Sequence, residues 1–351
     1  MKAGNKEQIQ QISLARYPQG APTAEDFRFD TVELAPLATD QVRVEVEYLS
    51  MDPYLRPLLA GRYLAARPAL GAQVPGMGVG VVCESRIDDV PAGSRVVFDA
   101  GWAQRVDVPR ARLRIVDTLT NHDAGSPAAV PAASSLHLGA LGLPGLTAWA
   151  GLRLIAPPAA GQTVLISAAA GAVGSVAGQL ARWSGARAVG IVGSAAKREL
   201  CLQRYGFSDC VIYRDAAFPQ SLDAACPDGV DIYFDNVGGV ILEAALARLS
   251  RGARIVLCGL IDQYNSEQRP PGPNLGPLIG ARASMTGLVV HDHWPRLAEM
   301  QAELLPHLAD GSLAIVEDIF DGLRSAPEAF CALMRGDNLG KALVRVAGAS
   351  G

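Results

Sequence analysis

Basic excess is missing from this 351-residue sequence: 31 Lys and Arg face 35 Asp and Glu, for a formal net charge of −4. No phosphate-backbone footprint is expected, and nucleic acid is excluded as a partner. Cysteine is sparse. The six stand at 83, 201, 210, 226, 258 and 331, without a C-x-x-C pair, which excludes a disulfide scaffold. A reducing cytoplasm is the simplest setting for such thiols. Residues 1–20 are polar and lack the apolar core of a signal peptide. Residues 154–181 carry no charge and are long enough to span a bilayer. Pro157, Pro158 and Gly161 interrupt their beginning and Gly171 and Gly174 their middle, so they read as strand, turn and helix, and no membrane partner is expected. The P-loop pattern GxxxxGK(S/T), the GxSxG elbow and HExxH are absent as well.

What is present suits an ordinary folded chain, with 49% hydrophobic and 19% charged residues and a length that predicts two domains. The first third looks all-β. Val42, Val44, Val46 and Tyr48 alternate with Arg43, Glu45 and Glu47, which predicts a half-buried strand with the charges on a solvated face. Short apolar runs at 79–83, 96–98 and 105–108, bounded by Gly, Pro or Asp, suit a compact barrel or sandwich.

The middle third changes rhythm. Strands are predicted at 163–167, 188–192, 210–213, 230–234, 254–257 and 285–290. Between them, Val173, Val176, Ala177, Leu180 and Ala181 recur at helical spacing, 197–205 reads as a helix stopped by Gly206, and Leu242, Ala245, Leu246 and Leu249 line another. Alternating strands and helices predict a doubly wound α/β domain on a parallel sheet. Residues 266–277 form a Pro/Gly-rich loop, either a functional lid or a surface insert. The tail predicts strands at 314–316 and 342–346 around a helix at 327–334, returning to the first domain. There are no internal repeats.

The strongest chemical signal is Ala169-Ala170-Gly171-Ala172-Val173-Gly174, a dinucleotide fingerprint with its first glycine replaced by alanine. It follows a predicted strand and opens a helix, which is the context that gives the motif meaning. Gly171 lets backbone approach a pyrophosphate, Gly174 lets the helix pack closely, and the helix N-terminus favours an anion. NAD calls for an acid at the end of the next strand; here stands Val192-Gly193-Ser194-Ala195-Ala196-Lys197, with no carboxylate and with Lys197 placed to meet a 2′-phosphate. NADPH is the expected cofactor. His291-Asp292-His293 offers two imidazoles for a metal but no third ligand nearby, so no metal site is expected; His122, His137 and His307 are isolated.

Asp52-Pro53-Tyr54-Leu55-Arg56, then SAAAGAVGSVAGQLA, YFDNVGG, CGLIDQYN and Asn338-Leu339-Gly340-Lys341, in this order along nearly the whole chain, resemble the zinc-independent medium-chain dehydrogenase/reductases. More narrowly, they resemble the branch of the prostaglandin reductases and plant alkenal double-bond reductases. The resemblance implies a Rossmann domain at 122–309 inserted in a mostly-β, GroES-like barrel domain at 1–121 and 310–351. It places the pyrophosphate at Gly171, Ala172, Val173 and Gly174, and the 2′-phosphate at Lys197 and Tyr213. Asn236 is placed beside the adenosine and ribose portion; Cys258, Gly259, Tyr264, Leu288, Val290 and Asn338 surround the nicotinamide end. Pro75-Gly76-Met77-Gly78 stands where zinc-dependent relatives need histidine, which speaks against a catalytic zinc. The implied activity is NADPH-dependent reduction of the C=C bond of α,β-unsaturated ketones or aldehydes by a cytoplasmic homodimer. Tyr264 would orient the enone or supply a proton and Tyr54 would shape the pocket; a quinone reductase or a non-catalytic NADPH-binding protein are the rival readings.

Overall fold

The computed structural model describes residues 7–116, 134–268 and 270–346. The chain divides into two compact units, one from 1–138, 317–338 and 342–351, the other from 139–316 and 339–341. The expected boundary at 121/122, and His122 with it, lies outside the described residues.

In the first unit, β1 (Gln8–Leu14) and β2 (Phe27–Glu33) form an antiparallel two-stranded sheet. A larger sheet takes β3 (Gln41–Ser50), β4 (Met77–Ser85), β5 (Arg95–Asp99), β6 (Arg105–Pro109) and β7 (Leu113–Ile115). Strand β3 organises it. One edge pairs with β4, the other with β6 through residues 41–45. The alternation along β3 holds, with Val42, Val44, Val46 and Tyr48 all buried. One expectation fails: Arg43 is buried, not solvated. It lies in register with Glu84 on one neighbour and Asp107 on the other, and its guanidinium donates to both carboxylates and to the Ala35 carbonyl. Paired on both sides and hydrogen-bonded, the charge is tolerated inside.

The second unit carries β8 (Thr163–Ser167), β9 (Arg187–Val192), β10 (Asp209–Ile212), β11 (Val230–Asp235), β12 (Leu249–Leu257) and β13 (Ser284–Gly287). They lie in the order β10-β9-β8-β11-β12-β13, parallel throughout. This is the doubly wound order of dinucleotide-binding sheets, with its switch point between β8 and β11. Every residue of β8 is buried, as a strand covered on both faces requires. The helix Ala172–Trp183 packs through Val176, Ala177, Leu180 and Ala181. Residues 154–181 are the end of a π-helical turn, β8 and this helix, and no helix among the described residues is long and apolar enough to cross a membrane.

Three further expectations are corrected. Strand β13 stops at Gly287, and Val290 opens the 3-10 helix Val290–Arg296, so His291 and His293 do not share a strand face. Leu249 starts β12 instead of ending the helix Gly239–Leu246. Residues 314–316 form no strand, because the Gln179 side chain takes both the N–H and the C=O of Ala314. The returning strands are β14 (Glu317–Asp321) and β15 (Lys341–Arg345), and β15 pairs with β3 at residues 48–50.

Burial pushes the thiols of Cys226 and Cys331 from the ordinary 9.0 up to about 11. Both hold their protons more tightly folded than unfolded, so their stabilisation is complete below pH 9 and is lost as pH rises towards 11. Between pH 7 and 9 these thiols should leave the thermal midpoint unchanged, and from there to pH 11 it should decline. A Cys226→Ala, Cys331→Ala double variant should lose part of that decline; the same decline in the double variant would refute the assignment.

Candidate functional site

Most of the singled-out residues gather at the carboxyl ends of the second unit's strands. Beyond β8 the chain turns through Ala168, whose φ of 49° is left-handed, and Gly171 caps the helix Ala172–Trp183 without a side-chain cap bond. Ala172, Val173 and Gly174 form its first turn, where N–H groups and the helix dipole favour an anion. A Cβ on Gly174 would sit 2.4 Å from the Ala168 carbonyl oxygen, so only glycine lets this helix approach the turn. Gly171 is less crowded, with one atom at 3.2 Å. It bridges Gly340, so the Asn338-Leu339-Gly340-Lys341 segment runs beside the glycine turn at residue 340.

At the end of β9, Ser194 caps the next helix by accepting the Lys197 N–H at 3.4 Å, which sets Lys197 in the first turn. Tyr213 donates its N–H to the Val192 carbonyl, and a Cβ on Gly193 would meet the Tyr213 ring at 3.2 Å. Arg214, which the sequence reading passed over, donates to the Gly193 carbonyl at 3.5 Å, with its guanidinium 5.4 Å from the Tyr213 ring centroid. Tyr213 and Arg214 therefore stand beside the end of β9, where residues 192–197 include Lys197 and no acid. The signal was in the sequence: Arg214 directly follows Tyr213.

The third cluster ties β8, β11 and β12 together. Asn236 donates its backbone N–H to Ser167 Oγ and its side-chain amide to the Ser167 carbonyl, both at 2.7 Å. Its Oδ1 accepts from the Cys258 thiol at 3.0 Å. Gly259 must be glycine, since a Cβ would lie 2.9 Å from the Asn236 carbonyl oxygen. Tyr264 ends the short helix Ile261–Tyr264, and its hydroxyl accepts the Leu260 N–H at 3.3 Å. Burial raises its pKa above the ordinary 10.0 and keeps the phenol protonated at neutral pH. Burial, then Asp235, likewise pushes the Cys258 thiol up. Leu288 is buried and donates its N–H to the Leu257 carbonyl; Val290 is half-buried at the start of its 3-10 helix.

Tyr54 and Asn338 belong to the first unit. Tyr54 stacks on Tyr63, centroids 5.3 Å apart, and burial followed by Asp52 raises its phenol well above the usual value. Arg56 of the same motif is a buried anchor whose guanidinium holds the carbonyls of Pro18 and Gly20.

Known proteins match this architecture throughout. Residues 10–116 match the family description "N-terminal domain of oxidoreductase", and 172–306 match "Zinc-binding dehydrogenase". The chain is 35% identical to the NADPH-dependent curcumin reductase of Escherichia coli over 98% of each chain. It is 37% identical to the NADP(+)-dependent 2-alkenal reductase of Nicotiana tabacum, covering 96% of this chain and 97% of the relative. The chain belongs to the medium-chain dehydrogenase/reductases, in the branch of the prostaglandin and alkenal double-bond reductases.

A crystal structure of this family, CurA from Vibrio vulnificus in complex with NADPH, superposes with a TM-score of 0.88 at 34% identity, covering 97% of this chain and 99% of that one. In this medium-chain dehydrogenase/reductase, no group of three His, Cys, Asp or Glu among the described residues is arranged to hold a metal ion. Gly76 lies in the segment Pro75-Gly76-Met77-Gly78, which holds no histidine. A Cβ there would lie 2.7 Å from Trp102 Nε1, so the packing around Trp102 admits no side chain.

Proposed function

We propose that this protein is an NADPH-dependent reductase of the carbon–carbon double bond in α,β-unsaturated ketones and aldehydes, working without catalytic zinc. The observation that carries the reading is the pairing of a glycine turn at the switch point with the end of β9, where residues 192–197 carry Lys197 and no acid and Tyr213 and Arg214 lie alongside. Such a donor set fits a dianionic 2′-phosphate, and a carboxylate would repel it. Gly171, Ala172, Val173 and Gly174 would hold the pyrophosphate; Asn236, Cys258, Gly259, Leu288, Val290 and Asn338 would line the path to the nicotinamide. The enone substrate class rests on the curcumin and alkenal reductases the chain resembles.

Bound NADPH supplies a hydride, which the β-carbon of the substrate accepts. The electron pair of the double bond then shifts to the carbonyl oxygen, and a proton completes the α-carbon. The chain's task is to place the enone, exclude water and offer a donor to that oxygen. Tyr264 is the donor proposed, since its raised pKa keeps the hydroxyl protonated; Tyr54 shapes the pocket.

The same reading includes a GroES-like barrel for the first unit, supported by β3 pairing along both of its edges. It also includes a homodimer. Support for the dimer comes from β13, an edge strand whose Ser284, Thr286 and Gly287 are exposed, and from Ile279 nearby, 82% exposed. A cytoplasmic setting agrees with six free thiols.

NADPH absorbance followed with 2-alkenals, enones and quinones tests the reading. Enone-dependent oxidation is expected, with Tyr264→Phe lowering kcat about tenfold or more while NADPH affinity stays, the loss of one donor to a developing oxyanion. Turnover of quinones alone, or NADPH binding without any turnover, would replace this reading with its rivals.

A further inference from the structure

Among the described residues of the second unit, Asp235 is the one carboxylate completely buried at a strand end, and the proposed reaction gives it no role. It closes β11 on the side where β8 neighbours it, at the switch point of the sheet. Its Oδ1 accepts four hydrogen bonds: from Ser167 Oγ at 3.0 Å, the Tyr233 hydroxyl at 2.7 Å, and the Val237 and Gly238 N–H groups at 3.0 Å each. Ser167 Oγ passes the connection on by accepting the Asn236 N–H. The Asp235 carbonyl takes the N–H groups of Cys258 and Gly259. Its Oδ2 is equally buried and has no partner among the described residues.

We propose that Asp235 is a positioning residue for the dinucleotide: through Ser167 and the 236–238 turn it holds Asn236, Cys258 and Gly259 as one floor, without touching the cofactor itself. The proposal rests on the cofactor site read above. Its physical basis is the cost of the arrangement. A buried carboxylate without a cation is expensive, and a fold that needed only a turn here could close it with neutral groups. A charged acceptor strengthens every bond it takes, roughly doubling each relative to a neutral one. Four donors converging on one oxygen therefore fix the turn more firmly than any neutral side chain. The orphaned Oδ2 shows that the carboxylate is aimed by what Oδ1 holds.

The test measures NADPH affinity by fluorescence and steady-state constants for NADPH and a 2-alkenal, on wild type, Ser167→Ala, Asp235→Asn and the double variant. Ser167→Ala removes the hydroxyl that donates to Asp235 Oδ1 and accepts the Asn236 N–H, and it keeps the strand apolar. It should raise the Kd and KM for NADPH about tenfold, the worth of one buried hydrogen bond, and leave the KM for the alkenal unchanged. Asp235→Asn should do the same, and the double variant should lose little more than either single one, because both cut one path. A lower melting temperature with wild-type NADPH constants would make Asp235 a purely structural residue and overturn the proposal. Lys197→Ala run in parallel separates the two claims. If Lys197→Ala weakens NADPH while Asp235→Asn does not, the site stands and the positioning role falls; if wild type binds no NADPH, both fall.

Discussion

Gly174→Ala is expected to cost both stability and cofactor binding, whereas Gly171→Ala costs binding alone. The added carbon at 174 lands 2.4 Å from the Ala168 carbonyl oxygen and 2.8 Å from Ala169 Cα, both backbone atoms that no rotamer change can move. The helix Ala172–Trp183 must then lift off the turn, and overpacking of this kind costs about 2–3 kcal/mol. A melting temperature lower by roughly 3–4 °C follows for a chain of this size. At Gly171 the only neighbour is at 3.2 Å, so the fold gives slightly and the melt moves little. There the methyl group stands between the backbone and an approaching phosphate. The loss of two charge-assisted bonds is expected to weaken NADPH by at least about a hundredfold. Gly280→Ala serves as control, since nothing lies within 4 Å of its Cβ position. Calorimetric titration with NADPH and a thermal melt on the three variants decide the matter. Unchanged binding in Gly171→Ala would remove the pyrophosphate from this turn.

How much of this was legible in the sequence depends on where each partner lies along the chain. Strands buried on both faces announce themselves as apolar runs, and TVLIS was read to the residue as β8. The glycine turn was legible because strand, glycines and helix are contiguous. Strand β1 was not, because QIQQISL mixes glutamine into a run whose Ile9, Ile12 and Leu14 are buried. Arg43 failed for a different reason: the alternation was right, but the acids that admit its charge come from β4 and β6, 41 and 64 residues away. Residues 314–316 look like a strand by composition, and only the Gln179 side chain, 135 residues distant, explains why they are none. Asp235 did leave a trace, as the acid ending the otherwise apolar run IYFD in β11. Its four donors are spread over β8, β11 and the following turn, so its role needed the fold.

Replacing Lys197 is expected to change which cofactor the protein prefers. Ser194 sets the Lys197 backbone in the helix's first turn, and Gly193 keeps that strand end open beside Tyr213 and Arg214. NADH lacks the phosphate that these cations would meet, so it gains nothing from them. Each charge-assisted contact is worth about 1.5–3 kcal/mol, or some ten- to hundredfold in affinity. Lys197→Ala should therefore raise the Kd for NADPH at least about tenfold and leave that for NADH unchanged. Arg214→Ala should act in the same direction, and the double variant should approach equal affinities for the two. Raising the salt concentration should weaken NADPH more than NADH in wild type and lose that difference in the double variant, because screening acts on exposed charge pairs. An equal loss for both cofactors in Lys197→Ala would mean that the lysine supports the fold and that the phosphate lies elsewhere. An unchanged preference in the double variant would leave Tyr213 and the missing acid as the whole of the discrimination, since a strand end without a carboxylate admits the phosphate even where no cation attracts it.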